Sequence, residues 1–238
     1  MSFSLQSKAE ELVIALGNFE PLFSEANKPS LFKDLIDGVY QYIPDKTVSY
    51  RYMVPNSRLV VELNKEAVDG SANIFALSEI KGCITEPIFA YSDVAISKKD
   101  QQVKVESIED LAKLKVVSYQ RATILLGNKY HKAVENNHYY SEVPHPEDQA
   151  KLLATGMVDV SIGDKYIFFN SLQTWSKGNM ASDDFVIHPI FPPVSSSMGF
   201  TKQNHCDEFN VALSKYKASG DYQLVYDSHL KRLGYSAN

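Results

Sequence analysis

Of 238 residues only two are cysteine and one is tryptophan. Cys83 and Cys206 stand far apart, with no C-x-x-C or other metal-ligand spacing. They read either as two small buried hydrophobes or, in an oxidising compartment, as a disulfide. Basic charge is also scarce. Lys and Arg number 24 against 29 Asp and Glu, a net charge of −5, so the surface repels nucleic acid, and no aromatic-basic run offsets this. No apolar stretch approaches the ~20 residues of a membrane span. The opening MSFSLQSKAEE lacks the basic and then apolar regions of a signal peptide. It fits a cytosolic protein or the mature part of an exported one. Neither G-x-S-x-G, nor H-E-x-x-H, nor a phosphate-binding loop occurs. No catalytic residue, metal site or cofactor is expected.

What is present is an ordinary globular composition, 44% hydrophobic and 22% charged, which excludes disorder of the whole chain. The first half reads β-α-β-α-β. Leu12 to Leu16 is a continuous apolar run closed by Gly17, which suits a buried parallel strand. Leu31, Leu35, Ile36, Val39, Tyr40 and Ile43 share one helical face, with Pro29 in the first turn and Pro44 at the end. Val48 to Val54 alternates at strand period, Arg58 to Ala67 is helical, and Ala72 to Ala76 is a third strand.

A similar series follows. It has strands at Val94–Ile96, Lys115–Tyr119, Tyr139–Val143 and Asp159–Ile162. Helices are expected at Val105–Leu114, Ala122–Asn136 and Pro146–Thr155. Two strands, Phe185–Ile190 and Ser195–Thr201, and two helices, Asp207–Ala218 and Tyr222–Leu233, make the tail. LNKEAVD (Leu63 to Asp69) echoes LATGMVD (Leu153 to Asp159), each ending a helix and entering a strand through Val-Asp. The echo favours two lobes of like architecture.

The chemistry legible in the residues is that of binding. In open α/β sheets ligands lie beyond the carboxyl ends of strands. Four such places carry polar or aromatic residues. They are Phe19 and Glu20 after the first strand, Arg58 at a helix start after the second, Arg121 and Thr123 after KVVSYQ, and Asp164 after DVSIG. Each has a plainer alternative. Phe19 fits core packing. Arg58 fits a pair with Glu62 at i+4. Thr123 and Asp164 fit helix N-caps, and Arg121 a solvated surface residue. His131, His138 and His145 recur every seven residues, but Pro144 and a strand interrupt them, so they read as surface.

The stretches ELVIALGNFEP, VPNSRLVVELNKEAVDG, VESIEDLAKLKVVSYQRAT, LLATGMVDVSIGDKYI and FTKQNHCDEFNVALSKYKASGDYQLVYDSHL, in that order and spacing, resemble the type II periplasmic solute-binding proteins. The resemblance is to the family 3 branch, which mostly serves amino-acid uptake. It implies an α/β fold of two lobes, each a mixed sheet flanked by helices, joined by hinge strands near Ala90–Asp93 and His188–Phe191. Lobe one would be residues 1–91 plus 192–238, and lobe two 92–191. The C-terminal helices and both cysteines would fall in lobe one. The resemblance places an apolar part of the ligand on Phe19, an anion at Arg121, Ala122 and Thr123, an amino group on Asp164, and a basic position at Arg58.

The implied protein is a periplasmic monomer, its signal peptide not part of this sequence. It would bind a small polar molecule, partner a membrane permease of the ABC type, and not bind nucleic acid. A ligand-sensing module is the alternative. A dehydratase-like enzyme, with Glu20 as its carboxylate, is a third. The stretch ALSEIKGCITEP lacks the arginine with which amino-acid binders clamp a carboxylate, leaving Lys81 as the nearest cation, and Ala122 replaces a usual glycine. These departures point away from a standard amino acid.

Overall fold

The computed structural model describes residues 9–234. In chain order its elements begin β1 (Glu10–Ala15), α1 (Leu31–Tyr40), β2 (Lys46–Arg51), α2 (Asn56–Asn64), β3 (Gly70–Ile74), β4 (Cys83–Tyr91) and β5 (Asp93–Lys98). They continue with β6 (Val116–Tyr119), α3 (Ala122–Leu125), α4 (Gly127–Val134), β7 (Tyr140–Val143), α5 (Pro146–Ala154) and β8 (Val160–Asp164). The last are α6 (Lys165–Ser176), β9 (Phe185–His188), β10 (Val194–Phe200), α7 (Gln203–Ser219) and α8 (Asp221–Arg232). Among the described residues no helix is long and apolar enough to cross a membrane.

The chain divides into two compact units. The first runs to Ala90 and resumes over Ser195–Ser228, and the second takes Tyr91–Val194 and the described residues from His229 on. The end of α8 therefore groups with the second unit, where the sequence reading kept the whole tail in lobe one.

Each unit is built on a mixed five-stranded sheet flanked by helices, and the two sheets have the same plan. The orders are β2-β1-β3-β10-β4 and β7-β6-β8-β5-β9. In the first, β2, β1 and β3 are parallel and β10 is antiparallel to β3. In the second, β7, β6 and β8 are parallel and β5 is antiparallel to β8. The Val-Asp echo sits at matching points of this plan, and its aspartates do the same work. The Asp69 carboxylate accepts from the Val13 amide at 2.9 Å, and that of Asp159 from the Lys115 amide at 2.8 Å. Each tethers the entry of one strand to its parallel neighbour.

The echo also aligns Glu66 with Gly156, one residue past the cap of α2 and of α5. Both are left-handed, at φ 54° and 73°. That conformation costs an L-residue about 1–2 kcal/mol, and glycine avoids it. Glu66→Gly is expected to raise stability by about 0.5–1 kcal/mol, after about 0.4–1 kcal/mol is returned to the freer unfolded chain. An unchanged urea midpoint would show that Glu66 carries no such strain.

Apolar patterning explains the cores. In the first unit Leu12 and Ile14 of β1 are fully buried, as are Leu35, Ile36 and Val39 of α1. Phe23 stacks on Phe32 with ring centroids 4.3 Å apart. Gly38 in the last turn of α1 leaves room for the Tyr216 ring of α7, which any Cβ would strike. In the second unit Val116, Val160, Ile162, Ala95 and Tyr130 form the buried centre.

Cys83 at the start of β4 and Cys206 in α7 form a disulfide, with Cα atoms 6.3 Å apart. Both lie in the first unit.

The structure departs from the sequence reading in four elements. β4 is a nine-residue strand where only a short hinge at its end was expected. The expected helix Ala122–Asn136 is two, α3 and α4, broken where Gly127 turns left-handed at φ 83°. The expected helix Val105–Leu114 is only a 3-10 segment, Ile108–Lys113, started by a capping box between Ser107 and Asp110. Pro29 precedes the α1 N-cap, Ser30, and does not stand in the first turn.

Candidate site at the carboxyl edge of the second sheet

The parallel strands β6 and β8 end at Tyr119 and Asp164, and β7 ends one residue after Glu142. Because β5 runs antiparallel to β8, its first residue also reaches this edge, in register Asp93↔Asp164. Four strand ends thus bring Glu142, Tyr119, Asp164 and Asp93 to one edge, where α/β sheets bind ligands.

Asp164 is 6% exposed. Its Oδ1 caps α6, accepting from the amides of Tyr166 at 2.9 Å and Ile167 at 3.2 Å. Its Oδ2 is buried with no hydrogen-bond partner among the described residues. Burial, and then the charge of Asp93, push its pKa up to about 6, against the pull of the backbone amides of Ile167, Tyr166 and Ser92. Asp93 is half-buried, and loss of water raises its pKa too, opposed by the Tyr119 hydroxyl, which donates to Oδ2 at 3.2 Å. The Tyr91 phenol lies in the field of both carboxylates and, chiefly through burial, is held neutral. Neither carboxylate has an ion-pair partner among the described residues. Two carboxylates beside neutral phenols give this edge a negative field with no cationic side chain to offset it among the described residues. Among the described residues no group of three or more His, Cys, Asp or Glu is placed to hold a metal.

The start of α3 behaves differently from the sequence expectation. Arg121 is left-handed at φ 69°, which turns its amide toward β7. That amide donates to Glu142 Oε2 at 2.7 Å. The Thr123 amide and hydroxyl both donate to Oε1 at 3.2 Å. The Tyr140 hydroxyl adds a fourth bond at 2.8 Å. Partial burial works to raise the Glu142 pKa, but the bonds from Tyr140, Arg121 and Thr123 prevail and hold it below the usual carboxylate range. The donor set expected to receive a ligand's anion therefore already holds an anion of the chain itself. The Arg121 guanidinium takes no part, its residue being exposed.

In the first unit Phe19 follows β1 and is 51% exposed, so it is no core residue. Glu20 is paired with Lys28 at 3.2 Å. Arg58 lies in the first turn of α2 and donates twice to Glu62 Oε1, at 3.3 and 2.7 Å. Glu62 also holds Arg51 at 2.8 Å. The i,i+4 alternative for Arg58 is thus the geometry present. Lys81 is exposed, and its amide is tied to Asn64 Oδ1 at 2.8 Å.

Of the six residues read as a site, Arg121 and Thr123 are joined through Glu142, and Asp164 stands by Asp93. Asp93, Glu142, Tyr119 and Tyr91 were missed. The only local signal was an acid inside each of two short strand-like stretches, YYSEV and YSDVAIS.

No protein-family model matches the sequence, and no curated protein matches it. Solved structures do. An ancestral cationic amino acid solute-binding protein aligns over 93% of this chain and 95% of its own, with a TM-score of 0.71 at 17% identity. A probable amino-acid ABC transporter extracellular-binding protein from Bacillus subtilis aligns over 95% and 99%, with a TM-score of 0.71 at 16% identity. The fold is that of the type II periplasmic binding proteins. A histidine kinase sensor domain similar to periplasmic binding proteins also shares this binding-protein fold, over 94% and 97% of the chains, with a TM-score of 0.59 at 15% identity. In this chain the link from β3 to β4 contains no arginine.

Proposed function

We propose that this chain is an extracytoplasmic solute-binding protein that captures a small polar molecule through an amine, without chemical conversion, and delivers it to an ABC-type permease. The observation that carries the reading is Asp164 Oδ2, a buried carboxylate oxygen with no hydrogen-bond partner among the described residues. An unpartnered buried charge is costly, and an ammonium group supplies the missing donor. Phe19, exposed beyond β1, would pack an apolar part of the ligand. Arg121 and Thr123 spend their amides on Glu142, Arg58 its guanidinium on Glu62, and Glu20 its charge on Lys28. None of these four is assigned a ligand contact. The disulfide fits an oxidising compartment. A sensory role is the second reading, favoured by the likeness to a histidine kinase sensor domain.

A thermal-shift screen of amines, amino acids, organic acids and short peptides tests the reading. A ligand at 100 times its Kd should stabilise the fold by about 2.7 kcal/mol. Phe19→Ala should weaken the identified ligand about tenfold while changing stability by no more than about 0.5 kcal/mol, as for an exposed side chain. Unchanged affinity by calorimetry would remove Phe19 from the site. Loss of uptake on gene deletion separates delivery from sensing.

A further inference from the structure

The second sheet's carboxyl edge has an unusual balance of donors and acceptors. Its convergent donors, the amides of Arg121 and Thr123 and the Thr123 and Tyr140 hydroxyls, all end on Glu142. Its acceptors are not used up. Among the described residues Asp164 Oδ2 has no hydrogen-bond partner, and Asp93 receives one hydroxyl from Tyr119. The order β7-β6-β8-β5 places these three carboxylates along one edge, with neighbouring strands about 4.8 Å apart.

A ligand carboxylate arriving here would find its donors taken and three like charges nearby. A ligand amine would find a buried, unpartnered oxygen.

We propose that Glu142 acts as a built-in substitute for a ligand carboxylate, so that the site selects amines that carry no carboxylate and rejects the corresponding amino acids. This rests on the solute-binding reading and narrows it to a substrate class: aliphatic or aromatic monoamines, diamines and guanidino-amines. Glu142 is a specificity-determining residue on this view. It contacts the anion cradle, and it need not touch the ligand.

The test uses matched pairs that differ only in the carboxylate: agmatine and arginine, putrescine and ornithine, cadaverine and lysine, histamine and histidine. Calorimetry on the whole chain should give at least one pair in which the amine binds ten or more times tighter than its amino acid. Glu142→Ala empties the cradle and should narrow that ratio at least tenfold, chiefly by tightening the amino acid. Glu142→Gln keeps the volume and should move the ratio in the same direction, which preserves the test if the alanine variant folds poorly. Acetate is a second readout. At millimolar concentration it should raise the melting temperature of Glu142→Ala and not that of the wild type, by refilling the cradle.

If the wild type binds an amino acid at least as tightly as its amine, the role of Glu142 is wrong while the solute-binding reading stands. That role is equally wrong if neither variant changes the ratio. If no amine and no amino acid binds the wild type, the solute-binding reading fails and this inference falls with it.

Discussion

Asp164→Asn is expected to stabilise the free protein at pH 7 by about 1–3 kcal/mol and to abolish amine binding. The cap survives, because asparagine retains the oxygen that accepts from Tyr166 and Ile167 and ranks with aspartate as an N-cap. What is removed is a buried charge. The folded pKa of Asp164 is raised from 3.8 to about 6, so between these values the folded state holds more protons than the unfolded one. Stability on this account is greatest below about pH 4 and falls as pH rises through about 6. A rise from 3.8 to about 6 corresponds to about 3 kcal/mol. Asp93 shifts in the same direction, so the two titrate as a pair, with Tyr91 and Tyr119 neutral beside them.

Urea midpoints at pH 5 and pH 7 should therefore differ more in the wild type than in Asp164→Asn. Amine affinity has the opposite sense, weakening as pH falls through about 6 and the carboxylate is neutralised. A variant that keeps wild-type affinity would reduce Asp164 to a helix cap and remove the amine from the proposed function. The gain in stability at the expense of binding is the trade expected of a charge kept for a ligand.

Removing the disulfide should cost about 2–5 kcal/mol and lower the melting temperature by about 10 °C for a chain of this size. The closure spans 123 residues, a loop length at which chain entropy alone gives close to 5 kcal/mol. The position matters as well as the length. Cys83 opens β4, the strand by which the chain leaves the first unit, and Cys206 lies in α7, just after β10 brings it back. The bridge therefore closes Tyr91–Val194, the long segment of the second unit, into one loop whose two cysteines both lie in the first. Cys83→Ser/Cys206→Ser, compared with the oxidised and the reduced wild type in guanidinium melts, measures this. Equal midpoints for all three would mean that the unfolded chain is not constrained by the bridge.

Much of the architecture was legible because it follows from local chemistry. The run LVIAL, closed by Gly17, suits a buried strand, and β1 lies there. The spacing of Leu31, Leu35, Ile36 and Val39 is that of one helical face. The Val-Asp echo favours two lobes of like plan, and its physical reason is the paired tethers from Asp69 and Asp159. Strand β4 was obscured by Pro87 and by polar residues along an edge with little alternation. The break before α4 was obscured because a single glycine inside a helical pattern is usually tolerated.

The candidate site divides in the same way. Sequence alone determined that Asp164 ends a strand and starts a helix, that Thr123 lies at a helix start, and that Phe19 follows the first strand, since each is a statement about neighbours along the chain. Only tertiary structure decided what these residues meet. Asp93 reaches Asp164 because β5 runs antiparallel to β8. Glu142 reaches the Arg121 and Thr123 amides because β7 lies beside β6 with Ser118↔Glu142 in register. Register and strand direction are set by the burial of whole sheet faces, a sum over many residues. A pair of charges 71 positions apart, as 164 − 93, leaves no mark in either local sequence.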